Sequence, residues 1–169
     1  MLAIGIGIGI GIGSSLWHFM PNQFTVLADV IPILLFINIC LPSFFHRVFG
    51  FKAQGLILIF SLFLLFIFIV SLTFPANLLN GSIFYGPGWL LLIIIGLYLY
   101  FTNHALHGRM LVAGGVFTAA LLFRTVDRDL CQWIPIGTHF IWHLLNAWLL
   151  YLVTSALLRQ EAKRHLLKT

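Results

Sequence analysis

Residues 54–74 read QGLILIFSLFLLFIFIVSLTF, a run without one charged side chain. About 20 consecutive apolar residues are enough for an α-helix to cross the hydrocarbon core of a bilayer. The rest of the chain is similarly apolar, since 61% of the 169 residues are hydrophobic and only 8% are charged. The sequence therefore predicts a polytopic membrane protein, an all-α transmembrane bundle that forms a single domain over residues 1–169.

Six apolar runs follow one another along the chain and predict six transmembrane helices. Their approximate bounds are Leu2 to Met20, Phe24 to Phe45, Gln54 to Phe74, Pro87 to Phe101, Ala105 to Phe123 and Ile136 to Leu158. Pro32 lies inside the second run, where a proline predicts a kink.

The first run contains an alternation of glycine and isoleucine from Gly5 to Gly13. A period of two is typical of a strand. A lone strand in a membrane would leave its backbone unpaired, so we predict a helix. On a helix, three pairs have the G-x-x-x-G spacing that allows two helices to approach closely, namely Gly5 and Gly9, Gly7 and Gly11, and Gly9 and Gly13.

Lysine and arginine are distributed unevenly between the two ends of the predicted helices. Seven of the nine lie on the side of the termini and the even-numbered connections, namely Arg47, Lys52, Arg109, Arg159, Lys163, Arg164 and Lys168. Cytoplasmic loops collect these residues, so both termini are predicted to be cytoplasmic. The net charge of +5 is then a signal of topology and lipid-headgroup contact, and it does not indicate nucleic-acid binding.

Three histidines lie within or at the ends of the apolar runs. His18 ends the first run, and His139 and His143 open the sixth as H-x-x-x-H. An ionisable residue in a membrane is costly and predicts a functional site. Residues i and i+4 share one face of a helix, so two imidazoles at this spacing can hold one metal ion. Six alternating crossings would bring all three histidines, and Asp29, to the outer side of the membrane.

These residues predict a zinc site with catalytic chemistry. Three neutral imidazoles leave the fourth position of a tetrahedral zinc open for water. Asp29 would then act as a general base, although it could instead support a histidine or cap the second helix. Ser14 lies one turn before His18 and could hold the oxyanion. Ser15 faces roughly the same way, and spacing alone does not separate the two serines. His18 also allows the simpler interpretation of an interfacial residue.

Several other polar and aromatic residues allow two interpretations. The predicted fifth connection contains four charged residues, namely Arg124, Asp127, Arg128 and Asp129. One interpretation is a local ion-pair cluster at the level of the headgroups. The alternative is that Arg124 or Asp127 lines the entrance to the site. Three tryptophans, Trp17, Trp133 and Trp142, lie at the same outer level of the membrane and predict an aromatic belt. Trp142 could instead form a wall of the site beside His143.

Cys40 and Cys131 are predicted to remain unpaired, because they lie at different depths in the membrane.

Certain segments resemble the bacterial-type members of the alkaline ceramidase family, which belongs to a superfamily with the progestin and adiponectin receptors. The similar segments are Gly13 to His18, Leu27 to Pro32, Asn80 to Ser82, Phe123 to Asp127, Cys131 and Pro135 to Ala147. The family pattern is Ser-x-x-x-His, an Asp eleven residues later and a late His-x-x-x-His. It matches Ser14, His18, Asp29, His139 and His143, and it selects Ser14 over Ser15.

The resemblance implies that the three histidines hold zinc and that the protein cleaves the amide of ceramide-like lipids to a sphingoid base and a fatty acid. It also implies a location in a bacterial-type cell membrane. The family has seven spans and an acidic N-terminal segment that binds calcium in some relatives. This chain has no acid before Asp29 and is expected to begin at the second family span, so calcium binding is not expected.

Two non-enzymatic interpretations compete with the hydrolase. The first is a non-catalytic, lipid-binding or receptor-like membrane protein with a structural zinc. The second is a small transporter, which would be expected to show inverted repeats and broken helices. The sequence shows neither feature, so the hydrolase and the lipid-binding protein are the two hypotheses that remain. The sequence does not predict an oligomeric state.

Overall fold

A computed structural model describes residues 2–20, 22–134 and 137–166, excluding the side chains of residues 2–4, 17, 26 and 163–165. Over these residues every regular element is helical. The elements are α1 (Leu2–Phe19), α2 (Gln23–Phe49), α3 (Ala53–Thr73), a 3-10 segment (Leu78–Tyr85), α4 (Gly86–Phe101), α5 (His107–Leu130) and α6 (His139–Leu166). The all-α prediction is confirmed.

Five helical stretches are long and apolar enough to cross a membrane. They are Gln23–Phe49, Ala53–Thr73, Leu78–Phe101, His107–Leu130 and His139–Ala162, and a shorter apolar helix covers Gly5–Leu16. Large apolar side chains such as Ile57, Leu72 and Phe101 lie largely exposed, as lipid-facing residues do. The chain is therefore an integral membrane protein, and the cytoplasmic location of its termini stays a prediction.

Several helix boundaries differ from those expected. Helix α6 continues to Leu166 instead of ending near Leu158, and α2 continues to Phe49 instead of ending near Phe45. Helix α5 continues to Leu130 instead of ending near Phe123, because charged side chains do not interrupt the backbone hydrogen bonds of a helix once it leaves the apolar layer. The four charged residues predicted for the fifth connection therefore lie on the last turns of α5. Helix α6 begins at His139. The expected start near Ile136, the belt position of Trp17 and the charges at Lys163, Arg164 and Lys168 fall outside the described residues or side chains.

Close contacts divide the chain into two units. The first comprises Met1–Leu56 with Gln160–Thr169, and the second comprises Ile57–Arg159. Single-domain organisation therefore stays a prediction.

In the first unit, α1 and α2 are joined by a tight turn built on Asn22. The Asn22 side chain accepts hydrogen bonds from the backbone N–H groups of Phe24 (2.9 Å) and Thr25 (3.1 Å). In return, the Asn22 backbone N–H donates to Thr25 Oγ1 (2.9 Å). This reciprocal capping box satisfies the free donors at the start of α2 and fixes the direction in which the helix leaves the turn.

Glycines bring α1 and α2 together in this hairpin. A Cβ atom built on Gly13 would lie 1.9 Å from the carbonyl oxygen of Ala28 and 2.9 Å from the backbone nitrogen of Asp29. A Cβ atom on Gly9 would lie 3.7 Å from the Pro32 ring. The predicted close approach is thus confirmed for Gly9 and Gly13. A Cβ atom on Gly5, Gly7 or Gly11 would meet no atom within 4 Å, so the close approach is not found at these three positions of the described hairpin.

Gly13→Ala is expected to destabilise the protein by about 1–3 kcal/mol or more, because the new methyl group would collide with backbone atoms that cannot rotate away. Gly11→Ala is the matched control on the same helix. Its methyl group enters open space, so its unfolding free energy is expected to hold or rise, since alanine favours a helix. Unfolding in mixed micelles compares the two. Equal stability of both variants would contradict the close approach.

In the second unit, α4 and α5 form a hairpin whose helices also meet at glycines. A Cβ on Gly114 would lie 2.8 Å from Ile93 Cδ1, and one on Gly96 would lie 3.2 Å from Leu111 Cδ2. The Trp89 indole N–H donates to Thr118 Oγ1 (2.8 Å) across this contact. A buried apolar cluster joins the hairpin to α6; its members are Ala113, Val116, Phe117, Ala120, Trp142, Leu149 and Leu152.

The 3-10 segment of the second unit contains three consecutive left-handed residues. Leu79, Asn80 and Gly81 have φ values of 52°, 54° and 77°. This conformation is unfavourable for a residue with a side chain, and leucine gains nothing locally from it. One contact that holds the segment is long-range, since Asn80 Nδ2 donates to the backbone carbonyl of Arg124 on α5 (2.9 Å). The segment is thereby tied to the last turns of α5.

Candidate functional site

Helix α1 carries two of the predicted site residues one turn apart. Ser14 is buried, with 8% of its surface exposed, whereas His18 is exposed. Ser15 is exposed and donates its hydroxyl hydrogen to the Gly11 carbonyl of its own helix (2.8 Å). The two serines therefore differ in burial and in the hydrogen bond of Ser15, and the catalytic role of Ser14 stays a prediction.

Asp29 lies next to the closest approach of α1 and α2. Its backbone nitrogen is one of the atoms that a Cβ on Gly13 would meet, so the contact places Asp29 opposite the residue that precedes Ser14. Asp29 as a whole is half-buried. The alternative role of Asp29 as the cap of the second helix is wrong, because Asn22 caps α2 and Asp29 lies two turns further along. Capping of a helix end therefore does not explain why an acidic residue lies at position 29.

His139 and His143 lie on the first two turns of α6 and face each other. Their ring centroids are 4.8 Å apart with an interplanar angle of 78°, and both side chains are half-buried. Two imidazoles that share a tetrahedral zinc at Zn–N distances of about 2.0–2.1 Å have centroids roughly 5 Å apart. The pair thus fits two ligands of one ion, as the H-x-x-x-H spacing predicted.

The position of His139 is determined by Asp127, a residue that α5 contributes. Asp127 Oδ1 accepts hydrogen bonds from the backbone N–H groups of Thr138 (2.6 Å) and His139 (2.8 Å). The Thr138 hydroxyl also donates to the Phe123 carbonyl of α5 (2.8 Å). A carboxylate at a helix N-terminus satisfies free donors and complements the helix dipole. Asp127 therefore anchors the end of α6 that carries the histidine pair.

Gly137 makes this anchoring possible. Its φ is +62°, and a Cβ there would lie 2.5 Å from Asp127 Oδ1 and 3.1 Å from Cys131 Sγ. Only glycine combines a left-handed conformation with so little space. The glycine before His139 thus lets the carboxylate reach the first backbone N–H groups of α6.

The predicted ion-pair cluster on α5 is wrong. The one ion pair among the described side chains joins Arg47 and Glu161 in the first unit, and none joins Arg124, Asp127, Arg128 or Asp129. Asp127 is occupied by the backbone of α6, and Arg128 and Asp129 are exposed. The capping role of Asp127 is not predictable from the sequence, because nothing local to this residue signals a contact with residues 138 and 139.

Two of the tryptophans predicted to form the aromatic belt, Trp133 and Trp142, lie in different environments. Trp133 is 79% exposed, as an interfacial residue is. Trp142 is buried, with 7% of its surface exposed, and packs against Tyr85 (ring centroids 5.0 Å) and Phe117 (6.2 Å). The belt prediction is therefore wrong for Trp142, which belongs to the core of the second unit and braces the helix on which His143 lies.

The remaining described histidines make local contacts at helix ends. His46 Nδ1 lies 2.9 Å from the Phe51 carbonyl, and His107 Nδ1 lies 2.7 Å from the His104 carbonyl. Cys40 and Cys131 are free thiols.

The candidate site residues belong to two sets, with Ser14, His18 and Asp29 in the first unit and His139 and His143 in the second. Comparison with protein-family models, curated proteins and solved structures finds no match to this chain.

Proposed function

We propose that the protein is a zinc-dependent intramembrane hydrolase that cleaves the amide of ceramide-like lipids to a sphingoid base and a fatty acid. The observation that carries the proposal is the His139–His143 pair, whose rings are spaced as two ligands of one ion on a helix end fixed by Asp127. His18 is proposed as the third ligand. Six alternating crossings would place its end of α1 on the membrane side where α6 begins.

The donor set determines which metal fits. Imidazole nitrogens suit zinc, and three of them leave an open coordination position. When bound, zinc lowers the pKa of a coordinated water and polarises the substrate carbonyl. No calcium site is proposed, because calcium takes six to eight oxygen ligands and the proposed ligands are imidazole nitrogens.

The side chains of this protein would handle the protons. Asp29 accepts a proton from the attacking water as its oxygen bonds to the amide carbon, and it then delivers that proton to the nitrogen as the C–N bond breaks. The Ser14 hydroxyl donates a hydrogen bond to the carbonyl oxygen, where negative charge develops. The exposed apolar faces of the helices let a lipid approach sideways with its acyl chain in the bilayer.

Metal removal tests this function. The purified protein in lipid nanodiscs is incubated with ceramide, and mass spectrometry follows the lipids. We expect equal amounts of fatty acid and sphingoid base, no release after a chelator, and recovery after zinc is added back. Bound zinc without release from any amide or ester lipid would contradict the proposal and favour a non-catalytic lipid-binding protein with a structural zinc.

A further inference from the structure

The guanidinium of Arg124 is held in the second unit by aromatic rings. Its Cζ atom lies 5.1 Å from the centroid of the Tyr85 ring and 5.2 Å from that of Trp142. These two rings contact each other edge to face at 5.0 Å, so they form one aromatic corner. A cation over a ring face is stabilised by the ring quadrupole, which holds the charge without supplying a hydrogen-bond acceptor.

The same side chain lacks the acceptors that a guanidinium needs. Within the described chain, Nε is buried without a hydrogen-bond partner, and no carboxylate forms an ion pair with Arg124. The hydrogen bond that Arg124 accepts from Asn80 uses the Arg124 backbone carbonyl and not its side chain. A guanidinium has five N–H donors, and leaving a buried charge unpaired is costly. The arrangement is that of a cation oriented for an anion that the described residues do not supply.

A second unsatisfied polar group lies in the segment that faces Arg124. A Cβ on Gly81 would lie 3.8 Å from Arg124 Nη2, so the guanidinium borders the left-handed turn. Ser82 follows directly, is 5% exposed, and its Oγ atom is buried without a partner among the described residues. Buried hydroxyls are normally paired, so two orphaned donors on adjoining elements indicate one ligand rich in acceptors.

The position along α5 indicates which ligand. Arg124 is the first charged residue after the apolar stretch that ends at Phe123, so it lies where a spanning helix passes from acyl chains to headgroups. Phosphate is the oxyanion of that layer, and the planar fork of arginine pairs with it through two parallel hydrogen bonds. Arg124 is half-buried, so part of it remains accessible.

We propose that Arg124, oriented by Tyr85 and Trp142, binds the phosphate of a glycerophospholipid, with Ser82 as a second donor. This lipid site uses none of the proposed zinc ligands and requires no hydrolysis. It would hold a phospholipid headgroup near the last turns of α5, where Asp127 caps the start of α6.

Native mass spectrometry of the chelator-treated protein tests the site, because no turnover is then possible. The probes are phosphatidylglycerol and diacylglycerol with the same acyl chains. We expect the wild type to retain phosphatidylglycerol about 10-fold more than diacylglycerol. Arg124→Gln should remove this preference. Arg128→Gln, one turn further along the same helix at an exposed position, should keep it.

Arg124→Lys provides a second test if Arg124→Gln does not fold. It keeps the charge but cannot form the bidentate pair, so it should also lose most of the preference. Equal retention of the two lipids by the wild type would overturn the proposal, as would an equal loss in Arg128→Gln. Oleate is a third probe, an anionic lipid without phosphate, and retention of oleate in preference to phosphatidylglycerol would overturn the phosphate assignment. Absence of ceramide hydrolysis would contradict the proposed hydrolase without changing the retention of phosphatidylglycerol. The hydrolase and the phospholipid site are therefore tested separately.

Discussion

His18→Ala and His139→Ala are each expected to abolish fatty-acid release, by about 10⁴-fold or more. Each variant removes one of three proposed imidazole ligands, and two ligands hold zinc too weakly to keep it through purification. Release from ceramide is measured by mass spectrometry, and zinc by elemental analysis of the same preparation. Both quantities should fall together.

The matched control for these variants is His46→Ala. His46 is an exposed histidine of α2 whose ring contacts the Phe51 carbonyl, at the opposite end of the helix from Asp29. It should retain both zinc and turnover. Full activity of His18→Ala or His139→Ala would contradict the metal site, and equal loss in His46→Ala would show that the assay reports unfolding.

Asp29→Asn is expected to lower the turnover by about 10²- to 10⁴-fold while the zinc content stays that of the wild type. Asparagine keeps the size of the side chain but cannot accept a proton from water, so only proton transfer is lost. Because Asp29 follows the Gly13–Ala28 contact and does not cap α2, the change should leave the hairpin intact.

Asp129→Asn is the control for Asp29→Asn, since Asp129 is an exposed acid on α5. It should leave turnover unchanged. Loss of zinc from Asp29→Asn would contradict the assignment of Asp29 as a base and would make it a residue that orients a ligand.

The fold and part of the site could be predicted because their signals are local. The charge-free run of residues 54–74 requires a membrane helix, and H-x-x-x-H places two rings on one face wherever a helix forms. The spacing of Gly9 and Gly13 likewise marks a face that can approach another helix. Each inference needed only the geometry of one helix.

The contacts between distant residues could not be predicted. Asp127 caps α6 through Thr138 and His139, and no spacing rule links an acid in one helix to the first turn of the next. Trp142 resembles a belt residue in sequence, yet it packs in a core made by three elements. The spacing of Ser14 and Ser15 on the helix does not separate them, whereas in the structure Ser14 is buried and Ser15 bonds to its own helix.

X-ray absorption at the zinc edge tests the central claim most directly, because it counts the ligands of the ion. For the purified wild type we predict one zinc with three imidazole ligands and one light oxygen ligand at about 2.0–2.1 Å, and no sulfur. A preparation without zinc, or a zinc bound by the Cys40 or Cys131 thiols, would contradict the account.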